Sequence, residues 1–432
     1  MEKNKLKELI IEHKERFLLK EGLVKRDIQE KIKRFIKQRE IVLITGVRRS
    51  GKSSLMRLIC GDIMTELNAA SSNILYLNFE DERFIDFSVK NFQALYEAFI
   101  EIENPKGKKY LFLDEIQNIK GWEKWINRLY EFEDIKIFIT GSNASMLSSE
   151  VSTALTGRNR QITNWPFSFH EFLSLKRFGI NEKTFYKTEH RAGIKRLFNE
   201  YLTLGGFPEV LKNNDVTILE QYFKDIIYRD VIARYAIRNI KEIKELALFL
   251  ASSIGTIQSY GNLKNLIRVK SLNTVKNYLE ALNDVFLFFP VDMFDYSIKR
   301  QIYNPSKVYC IDTALSSSIS FKFSQNLGRL YENIVFLQLK RKNADIYYWK
   351  SKQGREVDFV VKKGLKIETA VQVCISMSDS KVKNREIQAL IDAKTELKPM
   401  RFIIITEDEE GIEKIDNIDV EIIPLWKWIL GD

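Results

Sequence analysis

Gly46-Val-Arg-Arg-Ser-Gly-Lys-Ser53 follows the spacing G-x-x-x-x-G-K-[ST] in full. Two glycines with four residues between them let a backbone curl until its N–H groups point inward at a phosphate. A helix starting near Lys52 adds its positive dipole end. Gly46, Val47, Arg48, Arg49, Ser50, Gly51, Lys52, Ser53 and Ser54 are therefore expected to cradle a nucleotide. Lys52 is expected to reach the β- and γ-phosphates, and the Ser53 hydroxyl to ligate Mg²⁺. ATP with Mg²⁺ is the ligand pair this chemistry points to.

Leu111-Phe-Leu-Asp-Glu115 is an apolar run that closes on two acids. Asp114 is expected to hold the Mg²⁺ shell, and Glu115 to orient or deprotonate the attacking water. A second apolar run ends in Thr140-Gly-Ser-Asn143, where Ser142 or Asn143 could touch the γ-phosphate or the water; a simple turn is the plain alternative. Arg158, in Leu155-Thr-Gly-Arg158, could stabilise charge on the transferred phosphoryl group, in its own site or a neighbour's, or could be an ordinary loop arginine. Glu80 and Asp81 end another apolar run and rank below these.

These residues must be positioned by something. The stretch 40–45 is short, apolar and β-branched, as a buried parallel strand would be. Helical texture at 54–67, 92–102 and 122–132 alternates with strand texture at 73–79, 109–113 and 135–140. Such alternation predicts a parallel α/β sheet. It stops near Trp165-Pro166, gives way to mainly helical sequence, and resumes as a second α/β unit after about 324. The expected organisation is a basic helical arm at 1–38, a nucleotide-binding core at 39–165, a helical lid at 166–240, a middle region at 241–323 and a last domain at 324–432.

Apolar residues make up 45% of the chain, enough to bury several cores. The formal net charge is +10, and the first forty residues carry an excess of five, so a polyanionic partner is favoured and the arm could track phosphates or simply be a solvated helix. Cys60, Cys310 and Cys374 lie far apart, and there are only three histidines, which excludes a Cys- or His-built metal site and points to a reducing compartment. The charged N-terminus is no signal peptide, and no apolar run reaches about 18 residues. A cytoplasmic protein without a membrane partner is expected.

In order and spacing the chain resembles the prokaryotic and archaeal AAA-superfamily P-loop ATPases that end in a PD-(D/E)xK nuclease-like domain of unknown function. The resemblance runs from about Val42 to Leu430. It is carried by GVRRSGKS, YLFLDEIQN, FITGSNASML, LTGRNR, WPFSFHEF, YLTLGGFPEV, IIYRDVIARY, GRLYENIVFLQL, GREVDFVV and IIPLWKWIL. It implies the same roles for Lys52, Ser53, Asp114, Glu115 and Arg158.

The middle region reads as a winged helix: a helix at 263–269, a turn capped by Ser271 or Asn273, a second helix at 274–282, and a hairpin at 286–309 with Lys299 and Arg300 near its tip. Asn273, Lys276 and Asn277 would face a DNA groove. Packing inside the protein as a hinge or dimerisation module is the competing use. In the last domain the resemblance implies a metal site at Glu332, Glu356 and Asp358. The next strand, however, has Gln372 where the second acid should stand and Cys374 where the lysine should, so a nuclease fold without nuclease chemistry is expected. The leading expectation is an ATPase acting on DNA. The alternatives are a nucleotide-controlled switch with a protein partner and an ATP-coupled endonuclease. A homo-oligomer is compatible with all three.

Overall fold

The computed structural model describes residues 2–19, 22–143, 157–180, 185–320 and 326–431. They form two compact units, 1–166 and 167–432.

In the first unit, α1 (Lys3–Leu18) and α2 (Gln29–Ile36) precede an alternation of strands and helices. This runs β1 (Ile41–Thr45), α3 (Lys52–Glu66), β2 (Ile74–Asn78), α4 (Phe92–Glu103), β3 (Lys109–Asp114), α5 (Trp122–Phe132), β4 (Ile135–Gly141) and β5 (Asn159–Thr163). The sheet order is β2-β3-β4-β1-β5, and every pairing is parallel. The apolar strands are buried on both faces because their residues alternate between two cores. Leu43, Leu75, Leu111 and Ile137 join α4 and α5 on one side. Val42, Ile74, Phe112 and Phe138 join α2 and α3 on the other.

The expected basic arm is part of this unit. Leu6, Leu9 and Ile10 of α1 are fully buried in the first core, and Phe17 stacks on Tyr76 of the edge strand β2 at 4.0 Å. Several of its cations are paired: Lys14 with Glu103 at 2.5 Å, Lys7 with Glu101 at 3.1 Å, and Lys33 of α2 with Glu66 at 2.6 Å. Helix α1 thus covers the edge strand with its apolar face and holds several of its lysines in ion pairs.

The second unit opens with α6 (Phe169–Leu175), α7 (Thr188–Leu204), α8 (Pro208–Asn213), α9 (Ile218–Asp225) and α10 (Ile240–Ser252). In WPFSFHEF, Ser168 and Glu171 close a capping box on α6. In LGGFPEV, Gly205 has φ +72, and a Cβ there would fall 2.3 Å from Asp312 Oδ1; Asp312 also accepts the Gly206 N–H at 2.6 Å. Only glycine fits that approach.

Then follow β6 (Ile257–Gln258), α11 (Tyr260–Leu266), α12 (Leu272–Asp284), β7 (Phe288–Val291), α13 (Ile298–Tyr303), β8 (Ser306–Cys310) and α14 (Thr313–Ile319). The first of the two expected helices begins earlier than the sequence suggested, because Ser259 caps it by accepting the Asn262 N–H. Ser271 is the cap of α12. β7 and β8 pair antiparallel, but their connection carries the helix α13 where an extended wing was expected.

The last segment is α15 (Leu327–Arg341), β9 (Asp345–Lys350), β10 (Glu356–Lys363), β11 (Lys366–Val373), α16 (Ser380–Glu396), β12 (Arg401–Thr406), β13 (Gly411–Ile415), β14 (Ile418–Pro424) and α17 (Leu425–Gly431). Its mixed sheet has the order β13-β14-β12-β11-β10-β9. No described helix is long and apolar enough to cross a membrane.

Candidate nucleotide-binding site

β1 lies between β4 and β5, so its C-terminal end opens beside the end of β4, with the end of β3 next along the sheet. Ligands of open α/β sheets bind at such carboxyl edges. The loop leaving β1 is shaped by Gly46 at φ +147 and Gly51 at φ +88, with Arg49 also left-handed at φ +68. A Cβ on Gly46 would fall 2.2 Å from the Asn164 carbonyl oxygen, so no other residue fits there. Asn164 Nδ2 donates to the Ser50 carbonyl at 3.0 Å, and Arg26 donates to the same oxygen at 3.2 Å. Arg26 also donates to the Trp165 carbonyl at 2.6 Å. Two side chains thus fix the loop from outside its own motif.

Lys52 opens α3 and is 5% exposed. Its ammonium donates to the carbonyls of Gly46 at 3.2 Å and Val47 at 3.4 Å, and lies 3.2 Å from Glu115 Oε1. Arg48 pairs with Glu80 at 2.7 Å. Asp114, at the end of β3, is 1% exposed and receives the Tyr76 hydroxyl at 3.0 Å. It also hydrogen-bonds Ser53. Burial, then the charge of Glu115, raises the Asp114 pKa above the ordinary carboxylate range. Glu115 stands at φ +52, a conformation that costs a non-glycine residue about 1–2 kcal/mol. Burial opposes its ionisation, but Lys52 and a hydrogen bond from Gln117 outweigh that and hold its pKa low.

Thr140 of β4 ties these acids together. Its hydroxyl donates to Asp114 Oδ1 and accepts the Glu115 N–H at 2.9 Å. Ser142 and Asn143 follow, both buried at the same edge. The structure therefore brings Lys52, Ser53, Asp114, Glu115 and Thr140 together. Asp81 instead faces His13 at 3.0 Å and Arg83 at 2.8 Å.

Arg158 is not brought to this edge. Its carbonyl accepts the N–H of Ile41, the first residue of β1, at 2.8 Å. The loop begins after the last residue of β1, about 13 Å further along the strand at ~3.3 Å per residue. Arg158 donates to Asn127 and Glu131 of α5, the latter at 2.9 Å. In this structure its guanidinium is therefore held on α5, away from Lys52 and Glu115. Residues 144–147 of FITGSNASML and 155–156 of LTGRNR lie outside the described residues.

In the second unit Glu332, Glu356 and Asp358 do converge, and they converge on Lys307 of β8. Burial, then Asp358, pushes the Glu332 carboxyl up to about 7. Gln372 lies buried in β11 and is bonded to the same strand as the acids: it accepts the Asp358 N–H at 2.7 Å and donates to the Glu356 carbonyl at 2.9 Å.

A family model described as an AAA domain matches residues 38–173. Two models for domains of unknown function, DUF8612 and DUF4143, match residues 195–326 and 327–428. The uncharacterized protein MJ1544 of Methanocaldococcus jannaschii is 37% identical over 95% of this chain and 92% of its own. An uncharacterized protein of Haemophilus influenzae is 32% identical over 94% of this chain and 98% of its own. The chain belongs to the family of these proteins. Among solved structures, the ORC2 protein of Aeropyrum pernix in its ADP form aligns over 64% of this chain and 90% of that one, at 12% identity and a TM-score of 0.36. That level of similarity transfers neither residue roles nor partners.

The first unit thus has the parallel five-stranded sheet of a P-loop ATPase fold, and it carries the segment that matches the AAA-domain model. Sequence reasoning missed four of its residues. Thr140 carried a usable signal, because it ends a strand beside the strand of Asp114. Tyr76, Arg26 and Asn164 carried none, since only the fold brings Tyr76 to Asp114 and the other two to the loop.

Proposed function

We propose that this protein binds ATP with Mg²⁺ at residues 46–54, hydrolyses it with Glu115, and couples the cycle to binding or remodelling of DNA. The observation that carries the reading is the single network of Lys52, Ser53, Asp114, Thr140 and Glu115 at one sheet edge. Ser53 and Asp114 offer hard oxygen ligands side by side, as Mg²⁺ requires. When bound, Mg²⁺ neutralises charge on the β- and γ-phosphate oxygens. Lys52 exchanges the carbonyls of Gly46 and Val47 for phosphate oxygens. That move loosens its pair with Glu115, whose carboxylate then orients the attacking water. Thr140 holds both acids at fixed separation throughout. Ser142 and Asn143 are read as sensors of the γ-phosphate, and Arg158 as a residue that could act on a neighbouring subunit of a homo-oligomer.

The order α10, β6, α11, α12, β7, β8 is read as a winged helix, with residues 166–240 as the lid. Asn273, Lys276 and Asn277 are exposed on α12, with Arg268 and Lys270 exposed just before it. They supply polar and basic groups of the kind that read a groove and its phosphates. The last domain is read as a nuclease-like fold used for binding or assembly.

One observation favours the switch reading, with a protein partner. Around the tip helix α13, Tyr296, Ile298, Ile302 and Tyr303 are 74%, 73%, 58% and 77% exposed. An apolar tip suits a protein surface better than a phosphate backbone.

The deciding experiment is the ATPase rate with and without duplex, single-stranded and branched DNA, at low and moderate salt. Stimulation by one DNA form that weakens with salt, is absent in Glu115→Gln and fails with Lys52→Ala for want of nucleotide is the expected result. A slow rate indifferent to every DNA would replace this reading with the switch.

A further inference from the structure

Three carboxylates of the second unit meet on one ammonium. Lys307 Nζ lies 2.7 Å from Glu332 Oε1, 2.6 Å from Glu356 Oε1 and 2.9 Å from Asp358 Oδ1. Lys307 is 2% exposed. The acids come from α15 and β10, the lysine from β8, 25 positions before the nearest acid. An ammonium has three N–H donors, and here each has its own carboxylate. The acids are satisfied further: Glu332 Oε1 takes the Tyr309 hydroxyl at 2.6 Å, and Asp358 Oδ2 takes the Val373 N–H at 3.0 Å.

The nuclease resemblance asks for a divalent metal at these acids, and the residues do not fit one. Magnesium needs oxygens at about 2.0–2.1 Å in a near-octahedral shell. Here the acid oxygens stand at hydrogen-bond distance around a nitrogen that already fills the centre. Gln372, in place of the second acid, spends its amide on the Glu356 carbonyl and on Glu386 at 2.6 Å. Among the described residues no group of three or more acids, histidines or cysteines is arranged to hold a metal.

We propose that Lys307 is the permanent cation of this site: it stands where the metal would, and it turns the three acids into a clasp that fastens the β7–β8 hairpin to the C-terminal sheet. The clasp sits beside apolar packing of the same pieces, with Tyr309 of β8 stacked on Phe336 of α15 at 4.6 Å. A buried charge set of this kind contributes little net stability while intact, but removing one partner leaves the others stranded. The segment that was read as a winged helix is thereby joined to the last domain as one body, and no phosphodiester chemistry remains at the acids. The inference stands apart from the nucleotide reading.

The test uses the full chain without nucleotide. Mn²⁺ is titrated into wild type and Asp358→Asn, and free Mn²⁺ is followed by electron paramagnetic resonance. Equal uptake by the two is expected. A Mn²⁺ site in wild type that Asp358→Asn abolishes would overturn the proposal, as would Mn²⁺-dependent DNA cleavage lost in the same variant. Lys307→Met is expected to lower the melting temperature by about 10 °C. Adding Glu332→Gln and Asp358→Asn to it should recover part of that loss, because the stranded charges are removed. If Lys307→Met cannot be recovered folded, obtaining the triple variant folded supports the clasp. A Lys307→Met protein that melts with wild type, or a triple variant no more stable than the single one, refutes it.

Discussion

Thr140 shows how much of the site depends on one hydroxyl at the end of a strand. It donates a hydrogen bond to Asp114 and accepts the N–H of Glu115, so one side chain positions both of the acids proposed to face the metal and the water. Replacement by valine keeps the shape and removes both bonds. An unpartnered buried N–H costs about 1–3 kcal/mol, and the strained φ of Glu115 loses its support. Thr140→Val should therefore bind ATP with near wild-type affinity but hydrolyse it at least tenfold more slowly, as nucleotide titration beside a turnover assay would show. An equal loss in both would mean that Thr140 supports the loop as a whole. The loop itself was legible in sequence because glycine, lysine and serine at that spacing have few other uses. Thr140 was harder, since a threonine in a buried strand is ordinary.

Strand β4 raises a question of charge inside a core. Lys136 is fully buried, with its ammonium on the carbonyls of Gln38 at 3.1 Å and of Glu40. Burial lowers its pKa to about 7 against a partial opposing pull from Glu40. Its folded pKa lies below the unfolded value of 10.5, so between pH 7 and pH 10.5 the unfolded chain binds more protons. Stability must then rise with pH across that window, and the cost of holding the charge is fully present below it. Lys136→Met should remove this rise. Urea midpoints at pH 7 and pH 9.5 should differ in wild type and converge in the variant; identical pH dependence in both would mean the ammonium is charged throughout. The alternating strands and helices that place Lys136 were readable from period alone. The role of α1 was not, because a basic amphipathic helix has the same pattern whether it tracks phosphates or seals an edge. Likewise, the hairpin was readable from its apolar strands, but α13 at its tip is too short to announce itself.

At the scale of the whole molecule, the two units differ in how far sequence reaches. The first is built from local alternation and a contiguous motif. The second is held by pairs far apart in the chain: Lys307 with Asp358, and Gly206 with Asp312. Neither pair has a spacing that a periodic reading can find, and Lys307 sits in a strand whose neighbours give no hint of three acids. Arg158 belongs to this scale as well. It is bound to α5 at the far end of the sheet from the loop, so in dilute protein Arg158→Ala should leave turnover within about twofold, as for an exposed residue away from the chemistry. A loss of a thousandfold, the size expected of an arginine finger, restored by mixing with Lys52→Ala, would instead show an oligomer that shares its sites.

Asn164 grips the loop through the Ser50 carbonyl, and only two residues later, at Pro166, the first unit ends. The carbonyl of that same asparagine crowds Gly46. Support of the loop and exit of the chain therefore share one residue, and linkage makes any relation between them reciprocal. If a filled loop changes how firmly Asn164 is held, tension on the connecting peptide must change nucleotide affinity by the same factor. The exit strand is then an input as much as an output.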